Sequence, residues 1–170
     1  MKKKVFSLAL AAALCLSLLS ACAKPGANGA PEKQVDLAAF AQTLQENHEF
    51  SAFVNRLDPA DEELGAVMLD NYMPGLRELD LEQVEVYMSM VSFNTGEFSL
   101  VQAKNAEDAA KVQEIFQSRI DSMTEEGMNY PETVERWTNS AQVVANGSYV
   151  LLVCHEDSAA IVDEFNALFA

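Results

Sequence analysis

Apolar positions along this chain keep several rhythms, and each predicts a different kind of segment. Val5–Leu19 carries no charge and has no amphipathic face at all. From Val35 the period is helical: Leu37, Phe40, Ala41 and Leu44 fall on one face, with Asp36 placed to cap. A second helix is predicted from "LDPADEELGAVMLDNY", where Asp58 can accept from free N–H groups and Pro59 takes the first helical position. Leu64, Val67 and Met68 would share its buried face. At Val84 the period falls to two. Val84, Val86, Met88 and Met90 alternate with Glu85, Tyr87, Ser89 and Val91, which predicts a strand over Val84–Ser92. Asn94, Thr95 and Gly96 supply a turn into a second strand, Glu97–Ala103.

Helical spacing then returns. Ala109, Val112, Ile115, Phe116, Ile120 and Met123 make one stripe of a long helix, which Gly127 can end in the left-handed conformation. Pro131 opens a short helix through Trp137. "AQVVANGSYVLLVC" reads as a hairpin with Asn146–Gly147 as a type I′ turn. A last helix over Asp157–Phe169 is expected to bury Ala160, Ile161, Phe165 and Leu168. The elements add up to an α+β domain: two N-terminal helices, then two ββα units on a mainly antiparallel four-stranded sheet. "DAAKVQE" at 108 echoes "SAAIVDE" at 158, and a two-copy echo this short reads as repetition of the supersecondary unit and no more.

The strand Ser148–Cys154 is apolar on both faces. Tyr149, Leu151 and Val153 point one way, and Val150, Leu152 and Cys154 the other, so helices should cover both sides of the sheet. The helices of the two ββα units would cover one face and the N-terminal helices the second. A rival expectation leaves that second face, with Val91, Val101, Val144 and Leu152, partly open as an interaction surface.

Charge gives the uncharged run a meaning. Lys2, Lys3 and Lys4 precede it, and its 15 residues are too few to span a bilayer but suit an export signal. Leu19, Ser20, Ala21 and Cys22 then resemble a bacterial lipobox, L-[AS]-[AG]-C, cleaved before the cysteine. The resemblance implies a diacylglycerol on the Cys22 thiol, whose two acyl chains anchor stably where one would be marginal. Plain secretion with an incidental cysteine is the competing reading. Residues 1–21 are therefore expected to leave as the signal peptide, residues 22–34 to form a tether and residues 35–170 one domain. The twelve residues AKPGANGAPEKQ favour flexible backbone, and such a tether spans about 20 Å.

The whole chain has 26 acidic against 11 basic residues, a net charge of -15. Loss of the three leader lysines leaves 8 basic residues and a net charge of -18. So few cations argue against a nucleic-acid partner, and against a domain lying flat on anionic lipid or wall polymer. With Cys15 in the leader and Cys22 lipidated, only Cys154 remains, so the mature chain forms no internal disulfide.

Catalytic patterns are sparse. The chain has no G-x-S-x-G elbow, no H-E-x-x-H helix and no Gly-rich phosphate loop. His48 lacks a second histidine at metal-binding spacing and is expected on the solvated end of the first helix. Asp58, Asp61, Glu62 and Glu63 lack the alternating ligands and turn glycine of a calcium loop, and acids suit a first helical turn. "CHED", Cys154 to Asp157, names four metal-ligating types in a row. Adjacent strand residues face opposite sides, so Cys154 and His155 can neither chelate together nor pair as nucleophile and base. The expectation is a buried thiol, an exposed His155, and no metal or cofactor.

From about Leu64 to the end, two stretches keep a recognisable order. "VEVYMSMVSFNTGEFSLVQAKNAEDAAKVQEIFQSRID" gives a strand pair and a helix ending in Arg119. "YPETVERWTNSAQVVANGSYVLLV" gives a Tyr-Pro-Glu helix and a hairpin. Together they resemble domain of unknown function 4358, a family of small Gram-positive bacterial lipoproteins. That resemblance implies a lipoprotein at the cell surface and supplies no activity. Two function classes remain. One is a noncatalytic module, lipid-anchored at the outer face of the cell membrane, binding an extracytoplasmic protein, a peptide or a wall ligand. The other is an envelope hydrolase acting on glycan or peptide through scattered carboxylates. The absence of motifs favours the module, and a deep pocket with paired carboxylates would favour the enzyme.

Overall fold

The computed structural model describes residues 33–91, 96–125 and 127–170. The expected signal peptide, lipobox with Cys22 and nearly all of the expected tether lie outside the described residues, as does most of the turn expected at Asn94–Gly96. The described elements are α1 (Leu37–Asn47), β1 (Val54–Leu57), α2 (Gly65–Tyr72), β2 (Leu81–Ser89) and β3 (Glu97–Ala103), with a single 3-10 turn at Leu76–Glu78. They continue as α3 (Ala106–Thr124), α4 (Pro131–Ser140), β4 (Ala141–Asn146), β5 (Tyr149–Cys154) and α5 (Ser158–Ala167). Residues Lys33–Ala170 pack as one unit of mixed helix and strand.

The sheet is antiparallel throughout, with strand order β1-β2-β3-β5-β4. It has five strands where the sequence pattern predicted four. The addition is β1, whose register runs from Val54 against Ser89 to Leu57 against Val86. Four residues, two of them exposed and polar, are too short a run to show alternation.

Helices cover both faces, as the two-sided apolar strand β5 requires. On one side Tyr149, Leu151 and Val153, with Phe98 and Leu100, pack against Leu37, Phe40 and Leu44 of α1 and Ile161 and Phe165 of α5. On the other, Val150, Leu152 and Cys154, with Val86, Met88 and Val101, meet Leu69 of α2, Val112 and Phe116 of α3 and Trp137 of α4. The division differs from the expected one: α3 and α5 lie on opposite faces, and so do α1 and α2. Length explains it. The 19 residues of α3 run about 29 Å; with α4 they occupy their face, so Ile161 and Phe165 bury against the other.

The polar ties of α1 were partly foreseen. Asp36 caps it, accepting from the Ala39 N–H at 3.0 Å. Gln83 then holds its entry, donating to the Val35 carbonyl (2.8 Å) and accepting from the Leu37 N–H (2.9 Å). The Tyr149 hydroxyl accepts from the Val35 N–H.

Helix α2 starts later than predicted. Asp58 Oδ1 accepts from the Ala60 N–H, and Asp61 Oδ1 from Glu63 and Leu64, so these side chains hold residues 58–64 in turns. Gly65 opens the helix against the Asp58 carbonyl, where a Cβ would stand 1.9 Å from that oxygen. The buried face becomes Gly65, Ala66 and Leu69, leaving Leu64 and Val67 exposed. In the hairpin Asn146 pairs with Tyr149, so the central turn residues are Gly147 (φ 59°) and Ser148, one position on from the expected pair. Gly127 is left-handed at φ 83°, but α3 has already ended at Thr124.

Candidate functional site

The α3 face is incompletely filled at one end. Helix α2 is only eight residues long, and beside it a cleft of about 360 Å³ opens toward α3 and α4. Met68 and Tyr72 of α2 form one wall. Met88 and Ser89 of β2, with Met90 and Val91 just beyond, form the second, and Met123, Asn129 and Trp137 the third. Four methionines give this mixed lining apolar parts that adapt their shape cheaply.

Under them lies an ion pair. Glu97 is the first residue of β3 and Arg119 lies on the inward stripe of α3, in step with Val112, Phe116 and Met123. Arg119 Nε donates to Glu97 Oε1 and Nη2 to Oε2, both at 3.0 Å, with both side chains buried. The guanidinium also lies 5.1 Å from the Tyr72 ring centre and 5.3 Å from that of Trp137, within cation–π range. Burial by itself would lower the Arg119 pKa; the attraction and hydrogen bonds of Glu97 more than offset this, so the pKa is raised.

Two groups beside the pair stand out. The Trp137 Nε1–H, buried at the cleft wall, has no hydrogen-bond partner among the described residues. Cys154 pairs across the ladder with Glu97, and its thiol is pushed up to about 12, first by burial and then by the Glu97 charge. At neutral pH it is a protonated thiol and no nucleophile. Glu97 is the one carboxylate among the described lining residues, and Arg119 engages both its oxygens.

Of the four residues proposed as an interaction surface, the structure brings only Val91 to the cleft. Val101 and Leu152 are fully buried under the α3 side, so the rival expectation of an open face fails for these two, and the preferred expectation of a covered face fits them. Val144 pairs with Leu151 and therefore shares the opposite face, packed toward the α1 side. The signals for the cleft were an arginine at an inward helix position and a glutamate opening a strand that goes on to bury Phe98, Leu100 and Val101. Their pairing could not be read, because 22 residues separate them.

The CHED run behaves as alternation requires in one respect: Cys154 belongs to the α3 face, while His155 packs on Phe50 at the α1 side. Its exposure differs from the expected one. His155 is buried, and so is His48, which was expected in solvent. Helix α5 returns over the end of α1 and places Asp157 and Glu164 around the His48 ring.

These features define a three-layer domain with a cleft of mixed polar and apolar lining over a buried ion pair. Residues 60–155, more than half the chain, match the family described as Domain of unknown function (DUF4358), and the chain belongs to that family. Every described lining residue of the cleft falls within the match, whereas α1 and α5 lie outside it. No curated protein and no solved structure matches the chain.

Proposed function

We propose that this protein is a lipid-anchored extracytoplasmic binding module whose ligand enters the methionine-lined cleft. The observation that carries the cleft is the unpartnered Trp137 Nε1–H. An unmade bond at a buried donor costs about 1–3 kcal/mol, and a ligand acceptor would recover it once the flexible methionines shift to uncover that nitrogen. Because Glu97 already neutralises Arg119 and the mature chain is strongly acidic, a neutral carbonyl suits this donor better than an anion. The fitting ligand has an apolar body for the methionines and a carbonyl for Trp137, as an apolar peptide or wall peptide offers. A hydrolase finds less support, since a pair of free carboxylates is not assembled among the described lining residues.

Trp137 is the chain's single tryptophan, so its emission reports on the cleft. Titration with apolar peptides and wall-peptide fragments should give a saturable emission change that Met90→Asp weakens at least tenfold. No response to any of them, or cleaved products in the mixture, would count against the binding reading.

The anchor rests on Lys2 to Lys4, the apolar run and the motif Leu19–Cys22 in the required order. Cys22→Ala should release the protein from membranes or leave it as precursor. Equal retention of wild type and variant after carbonate washing would sink the assignment.

A further inference from the structure

We propose that His48, His155 and Asp157 form a transition-metal site, of the kind that takes Zn²⁺, at the junction of α1 and α5. His48 Nε2 lies 3.0 Å from Glu164 Oε1. A carboxylate only accepts, so Nε2 carries a proton. In a neutral ring Nδ1 is then a bare lone pair, yet it faces Asp157 Oδ2 at 3.3 Å. Two acceptors that face each other in this way need a cation between them, or a second proton on the ring. The metal reading matches a recurring pattern, in which a ligating histidine has its outer N–H held by a carboxylate.

His155 supplies the third donor. Its Nε2 is turned to the Glu49 carbonyl at 3.3 Å, which places the proton there and leaves Nδ1 as a lone pair. That atom stands 3.9 Å from the same Asp157 oxygen. One donor atom from each of the three residues lies within 4.8 Å of the others. Donors bound at 2.0–2.2 Å around a tetrahedral ion stand about 3.4 Å apart, so a small closure completes the site. On binding, the His155 lone pair passes from the Asp157 N–H, which it now accepts at 3.0 Å, to the ion.

Asp157 supports this independently. It is the N-cap residue of α5, yet its side chain makes no capping bond and is turned to the imidazoles instead. Its carboxylate is 55% exposed while the two histidine side chains are 7% and 5% exposed, so the ion is reached, and its fourth position hydrated, from the Asp157 side. Two imidazoles and one carboxylate suit Zn²⁺ rather than Mg²⁺ or Ca²⁺. Two neutral rings, Asp157 and Glu164 sum to two negative charges, which a divalent ion balances. The argument that separates Cys154 from His155 still holds, because Cys154 faces the other layer and has no part in the site.

The test uses the full chain in detergent, stripped with EDTA and titrated with Zn²⁺ against a chromogenic chelator, and with Co²⁺ by absorption. One ion per chain is expected, with the intense visible bands of four-coordinate Co²⁺ and a raised melting temperature. Asp157→Asn, a change at an exposed residue, should weaken binding at least tenfold without lowering the metal-free melting temperature, because its amide can donate to the Nδ1 lone pair. Glu164→Gln should weaken it about tenfold through His48. Absence of binding overturns the proposal and leaves a doubly protonated His48 between two carboxylates. Binding that survives both substitutions overturns it as well, since the ion then sits on other acids.

Discussion

Arg119→Met is expected to destabilise the domain by about 3–5 kcal/mol, a large share of a typical domain's stability. The substitution keeps an apolar chain of similar length but leaves the Glu97 carboxylate, 2% exposed, buried with neither of its two hydrogen bonds. Water entering from the cleft can reach Glu97 only in part, because its side chain is 2% exposed and Met88 and Trp137 stand beside it in the lining. The double variant Glu97→Met/Arg119→Met removes both charges, and should recover most of the loss because the desolvation of both ions disappears with them. Urea unfolding measures this: the midpoint should fall for the single variant and return for the double one at an unchanged slope. A single variant within 0.5 kcal/mol of wild type, the ordinary range for surface changes, would show that the pair is not buried in solution. The double variant is informative about the cleft as well. It leaves Trp137 without its cation neighbour, so a ligand-induced emission change should weaken even though the fold survives.

What could be read in the sequence follows from how far apart the deciding contacts lie. Strands β3 and β5 were placed to within a residue: β5 is an unbroken apolar run, and β3 carries Phe98, Leu100 and Val101 between turn residues despite its Ser99 and Gln102. Helix α1 and its Asp36 cap were legible for the same local reason, since the donor is three residues from the acceptor. Errors gather where two local rules compete. At Asp58 a cap and a tight turn use the same side-chain oxygen; the turn won because Gly65 lets the chain pass close to the Asp58 carbonyl. Both candidate sites were beyond such reasoning. Glu97 meets Arg119 across 22 residues and His48 meets Asp157 across 109, contacts that only the packing of layers creates.

A chain shortened to begin at Asp80 should lose cooperative folding. It would lack α1, β1 and α2, and these contribute to both layers. On one face Leu37, Phe40 and Leu44 leave Phe98, Leu100, Tyr149 and Leu151 uncovered. On the other, Leu57, Leu69, Met73 and Leu76 leave a gap beside Val86 and Met88. Seven large buried side chains are lost, and at about 1.5–3 kcal/mol each they amount to about 10–20 kcal/mol. That exceeds the net stability of an ordinary domain. Polar costs add to it: Gln83 and the Tyr149 hydroxyl lose their partners at Val35 and Leu37, and β2 loses its pairing with β1. The shortened protein should bind ANS, aggregate at micromolar concentration and show no sigmoidal urea transition. A soluble monomer with a sharp transition would instead make the N-terminal helices a separate arm and reopen the sheet face they cover as a docking surface. The family match from residue 60 to 155 leaves out both α1 and α5, the helices that cover the Phe98, Leu100, Tyr149 and Leu151 face, so a protein cut to that segment should expose it and fail to fold.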